Sequence, residues 1–403
     1  MKKLLAVVLA LAMMAAMVVT ASAEETVDLS KVKLGVILLH DDDSTYDLNF
    51  HNGVKEAMEN LGLSEDQVIV KSNIPESNEC YEAALDLADE GCTIIFADSF
   101  GHESFLAQAA AELPDVEFCH ATGTTAHTLN LANFHNAFAS IYEGRYLAGV
   151  AAGLKLNELK EAGKLKGDVP VMGYVGAFTY AEVISGYTSF YLGAKSVCPD
   201  VVMNVQFTGS WYDETEEKNA AQALIDAGAD LISQHADSMG APSACEDAGI
   251  PNVSYNGSTV ESCPNTFIVA SRINWAPYFE YILTQQAKGE AIDTDWTGTI
   301  ETGSVVLTDI NEQAAAAGTA ETLETVKAEL TAGTRKVFDT ATEGFITVGG
   351  EAVTSYMADV DTDEAFTPDT EAVSDGYFHE SEYRSAPYFD MQIDGITLLN
   401  TAF

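Results

Sequence analysis

The chain has 403 residues, of which 47% are hydrophobic and 20% charged, a globular composition long enough for at least two cores. Against 62 acidic residues stand only 19 basic ones, a formal net charge of −43. Such a chain repels phosphate backbones and anionic lipid headgroups, which excludes nucleic-acid binding and docking on a membrane through a basic face.

The first segment reads as a targeting signal. Lys2 and Lys3 precede a long apolar run that ends in Ala21-Ser22-Ala23, the layout of a secretory signal peptide spanning residues 1–23. Its removal takes away two lysines and no acid, which leaves −45. An exported chain, extracellular or periplasmic, is expected. No cysteine stands near the cleavage site, which argues against a lipid anchor. The six cysteines (Cys80, Cys92, Cys119, Cys198, Cys245, Cys263) show no C-x-x-C spacing. Disulfides in an oxidising compartment and buried free thiols both fit them.

From Val32 the pattern alternates strand and helix. Val32–Leu39 is a near-continuous apolar run suited to a central parallel strand. A helix carrying Phe50, Val54 and Leu61 on one face stops at Gly62. Strands over 68–70, 93–97 and 117–120 alternate with helices around Ala84 and Ala109. The rhythm restarts with a helix over 141–154 rich in glycine (Gly144, Gly149, Gly153). Strands follow at 171–175, 201–207, 231–234 and 252–255, and Asp213 caps a helix with Glu216 at its third position. Two doubly wound α/β halves result. A strand over 266–271 and a helix over 278–288 are expected to return to the first half. The first lobe is therefore placed at 31–136 plus 258–290, and the second at 137–257 plus 291–335. Residues 336–403 are Thr-, Asp- and Gly-rich and read as an acidic extension with short strands.

No phosphate-binding loop, dinucleotide fingerprint or nucleophile elbow occurs. The spacing Asp359-x-Asp361-x-Asp363 imitates the start of a calcium loop. However, Glu364 stands where glycine is required and Thr370 where the bidentate glutamate belongs, so a solvated acidic loop is expected. Neither a cofactor, a metal nor a catalytic residue is predicted.

In doubly wound sheets, ligands sit beyond the carboxyl ends of the strands, and two facing halves enclose a cleft. The loops at those ends supply Asp43, Ser44 and Tyr46; Ser99 and Phe100; Phe178; Trp211; Asp237; Asn256; and Asn274 and Trp275. Rings paired with amides and carboxylates suit a flat ligand with a polar edge. Each has a structural alternative: Trp211 as a staple beside the Asp213 cap, Trp275 as packing at a helix start, Asp237 as a cap.

Several of these stretches resemble one family. Lys33-Leu34-Gly35-Val36-Ile37, Ser99-Phe100-Gly101-His102-Glu103 and Tyr142-Glu143-Gly144-Arg145-Tyr146-Leu147-Ala148-Gly149 are similar to the basic membrane protein family, solute-binding receptors of ABC transporters. So are Gly173-Tyr174-Val175-Gly176-Ala177-Phe178, Ser210-Trp211-Tyr212-Asp213 and Gln234-His235-Ala236-Asp237-Ser238. The resemblance runs over about residues 32–310, and the chain is similar to the purine nucleoside receptors. It implies a type I periplasmic-binding-protein fold, two Rossmann-like lobes joined by a three-stranded hinge. It also implies a purine nucleoside or base as ligand, a permease as partner and a monomeric receptor. Tyr46 with Ser44 or Asp43 would contact the base, Trp211 would stack on it, and Asp237 and Asn256 would bond base or ribose. The family's lysine near the returning strand is replaced by Arg272 or Asn274. A ligand-binding sensor or surface interaction module for another small polar solute is the alternative.

Overall fold

The computed structural model describes residues 27–360 and 367–401. The signal sequence, and the Asp361 and Asp363 positions of the acidic spacing, lie outside the described residues. The elements of the first half are β1 (Leu34–Ile37), α1 (Thr45–Leu61), β2 (Val68–Lys71), α2 (Asn78–Asp89), β3 (Ile94–Ala97), α3 (Glu103–Glu112), β4 (Glu117–Ala121), α4 (Ala126–Leu129) and β5 (Phe134–Ala139). The second half begins with α5 (Ile141–Glu161), β6 (Val171–Gly176), α6 (Ala181–Val197), β7 (Val202–Phe207), α7 (Glu214–Asp226), β8 (Leu231–His235), α8 (Gly240–Ala248) and β9 (Asn252–Tyr255). Then come β10 (Phe267–Ile273), α9 (Ala276–Lys288), β11 (Asp295–Gly298), β12 (Val305–Leu307), α10 (Thr319–Thr331) and, near the end, β13 (Ile396–Leu398).

Two sheets organise these elements. The first has the order β11-β5-β4-β3-β1-β2, every pair parallel. The second has the order β12-β10-β9-β8-β6-β7-β13, parallel except at β12. Every residue of β1 and of β3 is buried, because helices cover both faces. Helix α1 stops where Gly62 takes φ 69°, a left-handed turn that lets its N–H reach the Met58 carbonyl. The glycines of α5 serve packing: a Cβ on Gly149 would collide with the Phe190 carbonyl of α6, and one on Gly193 with that of Tyr146. Both helices thus lie backbone to backbone.

Two strands differ from expectation: β11, within the 291–335 stretch assigned to the second lobe, pairs with β5 at the edge of the first sheet. β10 does not return to the first half; it pairs between β9 and β12 in the second sheet. The chain crosses over only after Ile273, and α9 then packs on α1. Buried apolar strands of either sheet read alike, so periodicity cannot say which sheet takes β10. The chain crosses between lobes three times, after β5, after β10 and after β11. The crossings are tied together: Ser140 N–H donates to Gly298 O (2.8 Å) and Asn274 N–H to Ser304 O (2.7 Å).

The C-terminal segment is no loose appendage. Val337, Phe338, Phe378, Tyr388, Phe389 and Ile393 share one apolar cluster with Tyr174 and Phe190 of the second lobe. Phe338 stacks on Phe389 with centroids 4.2 Å apart. β13 extends the second sheet by pairing in parallel with β7. Burial of each such ring contributes about 1.5–3 kcal/mol. All six cysteines are free and buried, and burial pushes the Cys80 and Cys119 thiols up to about 12.

Candidate functional site

The carboxyl ends of β1, β3 and β4 face those of β6, β7, β8 and β9, and the cleft lies between them. On the first-lobe side Ser44 caps α1: its hydroxyl accepts the Asp47 N–H and donates to Asp47 Oδ2 (2.6 Å). Asp47 Oδ1 accepts the His40 N–H at 2.7 Å. Burial pushes the Asp47 carboxyl up, but the hydrogen bonds from His40 and Ser44 outweigh it, so it titrates below its ordinary range. Behind it lies Asp98, fully buried, whose Oδ1 accepts the Leu39 N–H (3.1 Å). Burial, reinforced by the Asp47 charge, holds Asp98 well above the usual carboxylate range. Tyr46 donates its hydroxyl to the Asp98 carbonyl at 2.8 Å, which fixes its ring beside the cleft.

On the second-lobe side Glu182 enters from the first turn of α6, Trp211 follows β7, His235 ends β8 and Tyr255 ends β9. His235 Nε2 lies 3.4 Å from Glu182 Oε1. Burial depresses the His235 imidazole, with Glu182 opposing. Beneath the Tyr255 ring, 4.1 Å from its centroid, sits the buried guanidinium of Arg145. Arg145 donates to the Gln234 carbonyl (2.8 Å) and to the Tyr174 hydroxyl. Burial pulls it down to about 10. Asp237 is buried; desolvation, then the charges of Asp47, Glu217 and Glu182, raise its carboxyl well above the ordinary value. Burial thus favours the protonated form of Asp237, which can both donate and accept.

The lobes touch across the cleft. The Thr45 N–H and hydroxyl both donate to the Asp237 carbonyl (3.1 and 3.2 Å). Asn49 donates to Asn256 Oδ1 at 3.1 Å. Phe100 meets Tyr180 at 5.3 Å and His40 meets Tyr212 at 5.4 Å. The cleft holds about 370 Å³ of unfilled space, part of it open to solvent. Tyr255 Oη and His235 Nδ1, both buried at its wall, have no hydrogen-bond partner within the protein.

Of the residues named from sequence, Tyr46, Ser99, Phe100, Trp211 and Asp237 line this cleft together. The others lie elsewhere. Asp43 is exposed outside the cleft. Ser44 is a buried cap that acts through Asp47. Phe178 packs edge-on against Trp211 (5.0 Å) and stacks on Tyr180, one layer back. Asn256 clamps Asn49 across the lobes. Asn274 belongs to the crossing, where its Oδ1 caps α9 by accepting the Ala276 N–H (3.2 Å). Trp275 is 1% exposed in the first-lobe core, stacked on Phe50 at 4.4 Å. Arg272 lines a groove on the far side with Leu307 and Ile310. The cleft also contains His40, Asp47, Thr122, Glu182, His235 and Tyr255. Four of these six end a strand or occupy the loop after it, so the strand-end rule held their signal. Asp47 and Glu182, in the first turns of α1 and α6, lie within helices.

Among the described residues, no cluster of three or more His, Cys, Asp or Glu side chains is placed to hold a metal ion. The family model described as ABC transporter substrate-binding protein PnrA-like matches residues 34–334. A purine-binding protein of Brucella abortus is 36% identical over 226 residues, 56% of this chain and 60% of that protein. A putative ABC transporter glucose-binding protein of Haloferax volcanii is 32% identical over 53% of this chain and 51% of its own length. The chain thus spans about half to three fifths of these curated relatives. The crystal structure of an ABC transporter solute-binding protein from Aeropyrum pernix shares the fold, with a TM-score of 0.62 at 17% identity over 78% of this chain and 94% of that one. The motifs, the two-lobed α/β architecture and the family match over most of its length agree: the chain belongs to the PnrA-like, basic membrane protein family of ABC-transporter substrate-binding proteins.

Proposed function

We propose that the chain is the extracytoplasmic receptor of an ABC importer, which captures a purine base or nucleoside between its lobes and presents it to a permease. The observation that carries this reading is the convergence of Tyr46, Phe100 and Trp211 on a buried carboxyl, Asp237, whose protonated form burial favours. Rings grip the faces of a planar heterocycle, and an acid that both donates and accepts satisfies its mixed edge. The unpartnered Tyr255 hydroxyl offers a further polar contact. The printed name of the Brucella relative supports the purine class.

The receptor works by binding rather than by catalysis, as a monomer. Ligand enters an open form, and rotation about the three crossings brings Thr45 and Asn49 against Asp237 and Asn256. Ligand favours closure only by binding the closed form more tightly. Among the described residues, no helix is long and apolar enough to cross a membrane.

A sugar is the second reading, favoured by the name of the Haloferax relative and by carboxyls beside aromatic rings. Calorimetric titration of the purified chain with adenine, adenosine, guanosine, inosine and glucose separates the two. Purine binding without glucose binding is expected; binding of glucose alone overturns the purine assignment.

A further inference from the structure

A second cavity opens directly off the cleft. It shares Phe100, Thr122 and Glu182 with it and holds about 940 Å³ of unfilled space, part of it open to solvent. Its inner walls come from the two lobes, with Thr124 on one side and Ala181 and Ile184 on the other. Its outer wall comes from the C-terminal segment: Arg384, Ala386, Pro387 and Asp390. That segment lies beyond residue 334, where the family match ends.

The wall is built rigidly. Arg384 donates through Nε to the Ala386 carbonyl (3.1 Å) and through Nη2 to the Pro387 carbonyl (3.0 Å), which pins the turn. The Phe389 N–H donates to Glu380 Oε2 (2.9 Å), and the Phe389 ring stacks on Phe338. The Ser385 N–H is held by Asp295 of β11 (2.7 Å), so the wall also touches the first lobe.

Resting on the purine reading above, we propose that the 384–390 stretch completes a subsite for the hydroxylated, uncharged substituent of the ligand, the sugar of a nucleoside. A base seated against Phe100 and Asp237 directs a substituent past Thr122 and Glu182 into this chamber. The polar groups that line it are the hydroxyls of Thr122 and Thr124 and the carboxyls of Glu182 and Asp390. The Thr122 hydroxyl donates to the Ala121 carbonyl (2.6 Å) and can still accept. Each carboxyl has one oxygen engaged, Glu182 by His235 and Asp390 by the Tyr356 hydroxyl. These groups suit a polyol, which donates and accepts. Two carboxyls on a chain of net charge −43 disfavour a phosphate in the same place. Arg384 does not reverse this, because two of its nitrogens serve the carbonyls of its own turn. The C-terminal segment thereby sets the choice of nucleoside over free base and over nucleotide.

The test is calorimetry with adenine, adenosine and adenosine monophosphate, and with guanine, guanosine and guanosine monophosphate, on the wild-type chain and on Ala386→Trp and Asp390→Ala. Wild type should bind a nucleoside about tenfold or more tightly than its base and its monophosphate. Ala386→Trp fills the chamber and should weaken the nucleoside about tenfold while leaving the base within about twofold. Asp390→Ala, an exposed position, should weaken the nucleoside about threefold to fivefold and serves if the tryptophan variant does not fold. Equal affinities of base and nucleoside in wild type, or equal effects of a folded variant on both, overturn the subsite and leave the purine reading standing. A wild-type chain that binds none of the six compounds overturns both.

Discussion

The carboxylate of Asp295, on the edge strand of the first sheet, accepts the Ser385 N–H from the C-terminal segment at 2.7 Å. The segment around Ser385 packs into the core of the second lobe, so this bond joins the two lobes, with Asp295 three residues before the Gly298 tie at the third crossing. The same carboxylate lies 3.3 Å from His127 Nε2, and it is this hydrogen bond that chiefly raises the His127 imidazole above its ordinary value. The consequence is a link that helps hold the closed form. Asp295→Ala should leave both lobes folded by circular dichroism and weaken ligand about fivefold, the worth of a hydrogen bond of about 1 kcal/mol made only on closure. Unchanged affinity would show that the bond is kept in the open form as well.

Trp211 and Trp275 were drawn from equivalent places in the sequence, each in a loop after a strand. The structure separates them: Trp211 lines the cleft, whereas Trp275 is stacked on Phe50 in the core. Trp211→Ala is expected to weaken purine binding by about 2 kcal/mol or more with little change in Tm. Trp275→Ala should cost about 3–5 kcal/mol in denaturant unfolding. The reverse pattern in titration and denaturation would exchange their roles.

The contrast shows what the sequence carried. The βα rhythm, the α1 stop at Gly62 and the Asp213 cap, whose carboxylate accepts the Glu216 N–H at 2.9 Å, depend on local chemistry and were legible. Which sheet receives β10, and which of two tryptophans faces the cleft, depend on partners distant in the chain. Ser44 and Asn256 show the same limit. Both stand at strand ends, yet one holds Asp47 in place and the other ties Asn49 to the opposite lobe.

The α5–α6 contact makes a sharper stability prediction. Gly149 and Gly193 let the two backbones meet, and no side chain at either position can move away from a facing carbonyl. Gly149→Ala, although favourable for an isolated helix by about 1 kcal/mol, should destabilise the second lobe by about 1–3 kcal/mol through forced separation of the helices. A rise in Tm for this variant would contradict the packing.

Glu380 couples the C-terminal segment to pH. Burial pushes its carboxyl up to about 7, although the N–H groups of Tyr388 and Phe389 bond it. The folded chain therefore holds this proton more tightly than the unfolded one. The associated stability is fully present below the unfolded value near 4.5 and is lost as pH rises through about 7. The difference is on the order of 3 kcal/mol. Glu380→Gln keeps an acceptor oxygen and removes the ionisation. Urea midpoints between pH 5 and 8 should fall less steeply for the variant; parallel curves would show that Glu380 titrates normally.

Phe389 decides whether the last residues are fold or ornament. A Thr-, Asp- and Gly-rich composition suggested an appendage, because the apolar residues there fall in short runs without a sustained helical period. The structure commits several of them to the second lobe: Phe389 is fully buried, stacked on Phe338 and edge-on to Phe378 at 4.8 Å. β13 is held by its register against Met203, Asn204 and Val205 of β7. Phe389→Ala should therefore cost about 3–5 kcal/mol, as at any packed core position. Unfolding should lose it in the same transition as the second lobe. A variant with wild-type stability, or a separate early transition for the C-terminal segment, would show that the segment docks on a core already complete without it.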